Sequence, residues 1–161
     1  IGQQISKQVA DTFWNRLSEK NLICASILAN IEQKKLRQVG LSRRKSDYII
    51  GIAKAIVEGK LNLKILRQQS GKKIKDQLTS YRGIGAWTAD NFRLFALQDF
   101  DAWPGGDLAL QEAMKILKNL PARPSNSQMD DISQKWFPYR GAGALMLWHL
   151  YAKTRGNKQP I

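Results

Sequence analysis

The sequence predicts an all-α protein. Three observations carry that expectation. Apolar residues recur at helical spacing along most of the chain, as in Ile5, Val9, Phe13 and Leu17, which is the period of one helix face. No stretch alternates apolar and polar residues as a half-buried strand would. Breaks at Gly40 and Gly83 separate pairs of helical segments, the pattern of short turns between packed helices.

Taken in order, "IGQQISKQVADTFWNRL" is expected to form a first helix with that stripe inward, and "LICASILAN" (22–30) a short buried helix. Residues 32–61 read as a helix, a turn at Gly40 and a second helix with Ile49, Ile52, Ala53 and Ile56 on one face, capped by Ser42. Helices follow over about 72–80 and 86–97, broken at "RGIGAW". After the loop "QDFDAWPGG" a helix covers about 108–118, opened by Asp107. "LPARPSNSQ" is the strongest linker, and helices close the chain over about 128–135 and 138–154. Trp14, Trp103 and Trp136 are expected as core or loop anchors, Asp99 and Asp101 as loop or cap acids, and His149 as a packed helix residue.

A chain of 161 residues suggests one domain or two small lobes. Lys and Arg number 26 against 13 Asp and Glu, a formal charge of +13 with a pI near 10.1. A field of that sign attracts nucleic acid or an anionic membrane. No apolar run approaches the roughly 20 residues that span a bilayer, and no signal-peptide pattern opens the chain. DNA or RNA is therefore the expected partner, no membrane is expected, and the expected location is intracellular. The single cysteine, Cys24, rules out a disulfide within the chain and any four-cysteine metal site. The single histidine rules out a multi-His metal site, so no metal centre is expected. Because the chain starts at Ile1 without an initiator Met, a missing N-terminal segment is allowed for.

"LTSYRGIGAWTADNF" (78–92) is the most informative stretch. Gly83-Ile84-Gly85 makes a tight turn whose backbone N–H groups stay uncovered, and the helix that follows points its positive end over that turn. Ile84 plugs the hairpin into the core, and Thr88 sits early in the second helix. A lone GxG fits a plain helix–turn–helix with glycine caps. The full pattern in so basic a chain favours a site for a nucleic-acid phosphate that reads no sequence. Arg43, Arg44 and Lys45, and Lys72, Lys73 and Lys75, are further basic runs that either contact phosphates or form solvated helix faces. From spacing alone Asp107 is a helix cap.

"GIGAWTA", followed some 20 residues on by "WPGGDLAL", resembles the helix–hairpin–helix (HhH-GPD) DNA glycosylase superfamily, and most of all its alkylated-base excision branch, the DNA-3-methyladenine glycosylase II type. The likeness runs through "IGQQIS", "LRQVGLSRRKSDYI" and "WFPYRGAGALMLWHL". It implies a two-lobed helical bundle of the helix–hairpin–helix DNA glycosylase type: one lobe over about 20–100 containing the hairpin 78–89, the other over about 1–19 plus 101–161, with the cleft between them. It also implies base excision repair, acting as a monomer on duplex DNA containing damaged bases, DNA-associated in a bacterial cytoplasm or a eukaryotic nucleus.

In that resemblance Asp107 matches the catalytic carboxylate, a role compatible with the cap. Cleavage of an N-glycosidic bond builds positive charge on the sugar, and a carboxylate beside it stabilises that charge or orients water. Lyase-competent members carry a Lys where Trp87 stands, which attacks the sugar as a Schiff-base nucleophile. Trp87 therefore implies a monofunctional enzyme that hydrolyses with water. Trp87 and Trp148 match aromatic positions lining the base pocket, where electron-poor 3-methyladenine and 7-methylguanine stack. Asn91 stands where the branch has a Tyr, which implies a wider or more polar pocket, and Gln3 also faces it. Gln4 takes the place of the apolar wedge that fills the gap left by a flipped nucleotide. The resemblance also implies room for a monovalent cation at the hairpin carbonyls, and no other cofactor is expected. Two rival readings remain at this point, a non-catalytic helix–hairpin–helix DNA-binding module and a glycosylase for deaminated or oxidised bases.

Overall fold

The computed structural model describes Gly2, Ile5 and residues 7–154. The expected all-α class holds: no strand occurs among the described residues. The chain divides into two compact units, residues 1–69 with 79–83 and residues 70–78 with 84–161. These boundaries are not those of the expected lobes, because the first helix falls in the first unit and both helices flanking the Gly83 turn fall mainly in the second.

The first unit holds α1 (Lys7–Glu19), α2 (Ala25–Ala29), α3 (Gln33–Val39), α4 (Arg43–Val57) and α5 (Leu63–Leu66). Its core is Leu17, Leu36, Val39 and Leu41, with Phe13, Leu28, Ile31 and Ile49 packed against it. The stripe on α1 is buried only at its C-terminal end: Leu17 is buried, whereas Val9 is 41% exposed. Trp14 is 54% exposed and is not a core anchor, a correction that follows from its place one residue off the Phe13–Leu17 stripe. The segment 22–30 is likewise no buried helix, since Ile23 and Ile27 face solvent and only Ala29 of α2 is buried. Between α3 and α4, Gly40 takes a left-handed φ of 112° and packs so close to Phe13 that a Cβ would lie 2.6 Å from its ring. Ser42 caps α4 as expected, accepting from the Lys45 amide. The short α5 was not expected. Asn62 nucleates it by accepting from the amides of Lys64 and Ile65, a cap that contributes about 1 kcal/mol.

The second unit holds α6 (Gly71–Thr79), α7 (Ala86–Asn91), α8 (Leu108–Leu117), α9 (Asn126–Ser133) and α10 (Arg140–Thr154). Helix α7 runs straight into a π-helical turn, Phe92–Ala96, and α9 into a 3₁₀ turn, Gln134–Trp136. The core packs Leu110, Ala113 and Met114 of α8 against Ala144, Leu147 and Tyr151 of α10, with Leu94, Trp103 and Met129 closing it. Trp103 meets Trp136 edge-on, with ring centroids 5.7 Å apart, so these two do anchor the fold. Half of the expected linker is a helix start: Ser125 and Gln128 form a reciprocal capping box on α9.

Candidate active site

Asp107 lies in the second unit, at the end of a buried loop. Its amide donates to Pro104 O at 2.9 Å, closing a turn over the two glycines. Gln111, buried one turn into α8, holds the loop by donating to Gly105 O at 3.2 Å and to Asn126 Oδ1 at 2.7 Å. The carboxylate is therefore aimed by its own helix and by α9 at once. Sequence reading missed Gln111, although a glutamine within the apolar run "LALQEAM" was the available signal.

The Asp107 side chain is 8% exposed and accepts four N–H groups. Oδ1 takes the amides of Ala109 at 2.9 Å and Leu110 at 3.1 Å, which is the expected cap, and also the Trp148 indole Nε1 at 3.1 Å. Oδ2 takes one donor, the Trp87 indole Nε1, at 2.7 Å. A carboxylate has about four acceptor sites, two per oxygen. Oδ1 is saturated, and Oδ2 is the oxygen with capacity left for a reacting group. Trp87 and Trp148 thus act on the carboxylate through their N–H edges, beyond the stacking faces the sequence suggested. Replacing Trp87 with Phe keeps a ring and deletes this donor. On the role that the resemblance implies for Asp107, the expected outcome is a base-release rate lower by about 10- to 100-fold, the worth of one hydrogen bond to a charged group, with an unchanged circular dichroism spectrum because Trp87 is 37% exposed.

Asn91 turns its amide back onto the backbone, donating to Trp87 O at 2.7 Å. One turn on, Phe95 stacks on Trp148, centroids 5.8 Å apart and planes 25° from parallel. Gln3 and Gln4 lie outside the described residues.

At the Gly83 turn, Gly83 has a φ of 96° and sits against the Tyr48 ring, where a Cβ would come within 2.3 Å. Only glycine meets both demands. Arg82 stacks its guanidinium 5.7 Å over the same ring, and Tyr81 donates to Lys60 O at 2.9 Å. Ile84 and Thr88 are half-buried, while Gly85 opens α7 exposed and with no side-chain cap on the helix N–H groups. The turn from Ser80 to Gly85 carries no acidic side chain, so a cation there would meet neutral carbonyl oxygens, a donor set that suits a monovalent ion.

Arg43 and Arg44 are exposed, and Lys45 is half-buried with its ammonium pulled below the ordinary value by burial. Lys34 and Arg37, which sequence reading missed, line a shallow cleft with Arg43, Gln38, Leu41 and Ser42. Lys72 and Lys73 are exposed, but Lys75 is not available as they are. Its Nζ pairs at 2.6 Å with the buried carboxylate of Asp90, which demands a cation. Arg93 meets the other Asp90 oxygen at 3.0 Å and grips Asp99 through Nε and a terminal nitrogen at 3.0 and 2.7 Å. Burial pushes the Asp90 carboxyl above the usual range in spite of these partners. Asp101 is held below it by the hydrogen bonds from Arg140, at 2.6 and 2.8 Å, and also caps α10 through the Arg140 amide. Asp99 and Asp101 are thus the loop and cap acids expected. His149 is exposed on α10 and not packed as expected, because the inward face of that helix is taken by Leu147 and Tyr151.

Among known proteins, residues 1–139 match the family described as HhH-GPD superfamily base excision DNA repair protein. The chain is similar to a DNA-3-methyladenine glycosylase of Bacillus subtilis, 30% identical over 123 residues that make up 76% of this chain and 41% of that protein. Among solved structures it is similar to a DNA-3-methyladenine glycosidase from Bacillus halodurans, with a TM-score of 0.83 and 27% identity over 96% of this chain and 72% of that one. It also shares the fold of a Schizosaccharomyces pombe 3-methyladenine DNA glycosylase in complex with abasic DNA, with a TM-score of 0.84 and 24% identity over 98% of this chain and 78% of that one. The chain spans about two fifths of the length of the Bacillus subtilis relatives it matches.

Proposed function

Since the chain belongs to the HhH-GPD superfamily of base excision DNA repair proteins, we propose that it is a monofunctional DNA glycosylase that excises alkylated purines such as 3-methyladenine and 7-methylguanine from duplex DNA. The observation that carries this reading is the Asp107 carboxylate, fixed through Oδ1 and with an acceptor site left on Oδ2, between two indoles. The hairpin glycines and the exposed arginines hold the duplex by its phosphates, and a monovalent cation held by the hairpin carbonyls would add positive charge there. The lesion is flipped out and stacks on the aromatic rings. As the C1′–N bond breaks, its electron pair leaves with the base and positive charge develops at C1′. Asp107 Oδ2 stabilises that charge electrostatically. A water then adds at C1′ and passes a proton to bulk water, leaving an abasic site. Trp87 has no amine to attack C1′, so no Schiff base forms.

Chromatography of bases released from methylated duplex DNA tests the reading, with borohydride present in a parallel reaction. Free methylated purines without a trapped protein–DNA adduct are expected. A trapped adduct overturns the monofunctional claim, and DNA binding without base release overturns the enzyme.

A further inference from the structure

Phe95, stacked on Trp148, is a large ring that no part of the proposed reaction uses. It is 60% exposed, whereas its neighbour Leu94 is in the core. The π turn sets this orientation. There Leu97 donates its amide to Phe92 O at 3.2 Å, one residue further back than in an α-helix. The widened turn carries Phe95 onto Trp148, in a stacked contact. Trp148 in turn donates to Asp107 Oδ1, so Phe95 stands one ring away from the catalytic carboxylate.

The turn that presents Phe95 is braced. Arg93, two residues before it, is held on one side by Asp90 and on the other by Asp99, which gives the ring a fixed base. Asn91 offers no comparable surface, because its amide is engaged with Trp87 O. An alkylated purine carries positive charge or is electron-poor, and an aromatic face attracts such a group where an aliphatic side chain does not.

We propose that Phe95 is a wall of the base pocket, extending the Trp148 surface, and that this ring supplies the selectivity for cationic bases that Asn91 does not. The inference rests on the glycosylase reading above. It goes beyond it by assigning base recognition to the π turn.

The test compares Phe95→Leu, which keeps apolar bulk but loses the ring, with Phe95→Tyr, which keeps it. Single-turnover release of 7-methylguanine at subsaturating enzyme is measured beside the Kd for a duplex containing a tetrahydrofuran abasic site, which has no base to stack. The Leu variant is expected to lose about tenfold in release with the abasic-site Kd within about twofold of wild type, and the Tyr variant to recover the release rate. Release by the Leu variant equal to wild type overturns the proposal while the glycosylase reading stands. A loss that Tyr does not recover, or one matched by weaker abasic-site binding, makes Phe95 a support for Trp148 and overturns it too. If the wild-type protein releases no methylated purine, both readings fall.

Discussion

Asp107→Asn is expected to lower the release of methylated purines by about 10²- to 10³-fold, the usual cost of removing one preorganised electrostatic group from a transition state. The substitution separates the two jobs of the side chain. An Asn caps a helix about as well as an Asp, and its carbonyl oxygen can take over the amides of Ala109 and Leu110 that Oδ1 now satisfies. What it cannot supply is negative charge at the position of Oδ2, nor a second acceptor for the Trp87 indole, which would face an NH₂ group instead. The melting temperature should therefore change little while the chemistry falls. Single-turnover base release and a thermal melt on the same preparation check both halves. Release at near the wild-type rate in a folded Asn variant would show that the carboxylate is only a cap.

The cap and the proposed catalyst share one residue, and this is why the site was partly legible in sequence. "PGGDLAL" marks a helix start by local rules, and local rules act over a turn or two. The helices were legible for the same reason. Two boundaries were misread because polar side chains set them: Asn62 makes α5, and Ser125 with Gln128 turns half a linker into the start of α9. The contacts that define the site were not legible, because they join distant positions. Trp87 and Asp107 are 20 residues apart, Trp148 and Asp107 are 41 apart, and nothing in helical spacing says which edge of an indole meets which oxygen. The π turn is the sharpest case. Its extra residue shifts the register after Asn91, so extending α7 by its period misplaces Phe95. Lys75 shows the same limit from the other side: among three lysines that look alike in sequence, only the fold reveals the one that faces a buried Asp90.

That buried cluster gives the largest expected effect on stability. Asp90 is 3% exposed and has two cationic partners, Lys75 from α6 and Arg93 from the π turn. Arg93→Met retains length and apolar packing but withdraws one charge from Asp90 and leaves Asp99 without its grip. Breaking a buried ion pair from one side costs about 3–5 kcal/mol, because the remaining charge stays desolvated. For a protein of this size that corresponds to a fall in Tm of roughly 6–20 °C. The loss should depend on pH in a defined sense. The Asp90 carboxyl already sits above its ordinary value of 3.8 through burial, and losing Arg93 raises it further. A carboxyl raised in the folded state penalises folding while it is ionised, and the penalty disappears as the pH falls toward the unfolded value. Wild type and variant should therefore differ most near neutrality and converge in acid, as thermal melts across that range would show. Adding Asp90→Asn to the Arg93→Met variant should recover part of the stability at neutral pH, since an amide carries no charge to desolvate. A deficit that is the same at every pH, with no recovery in the double variant, would mean that Arg93 does not act through the charge of Asp90 and that the π turn does not depend on that ion pair.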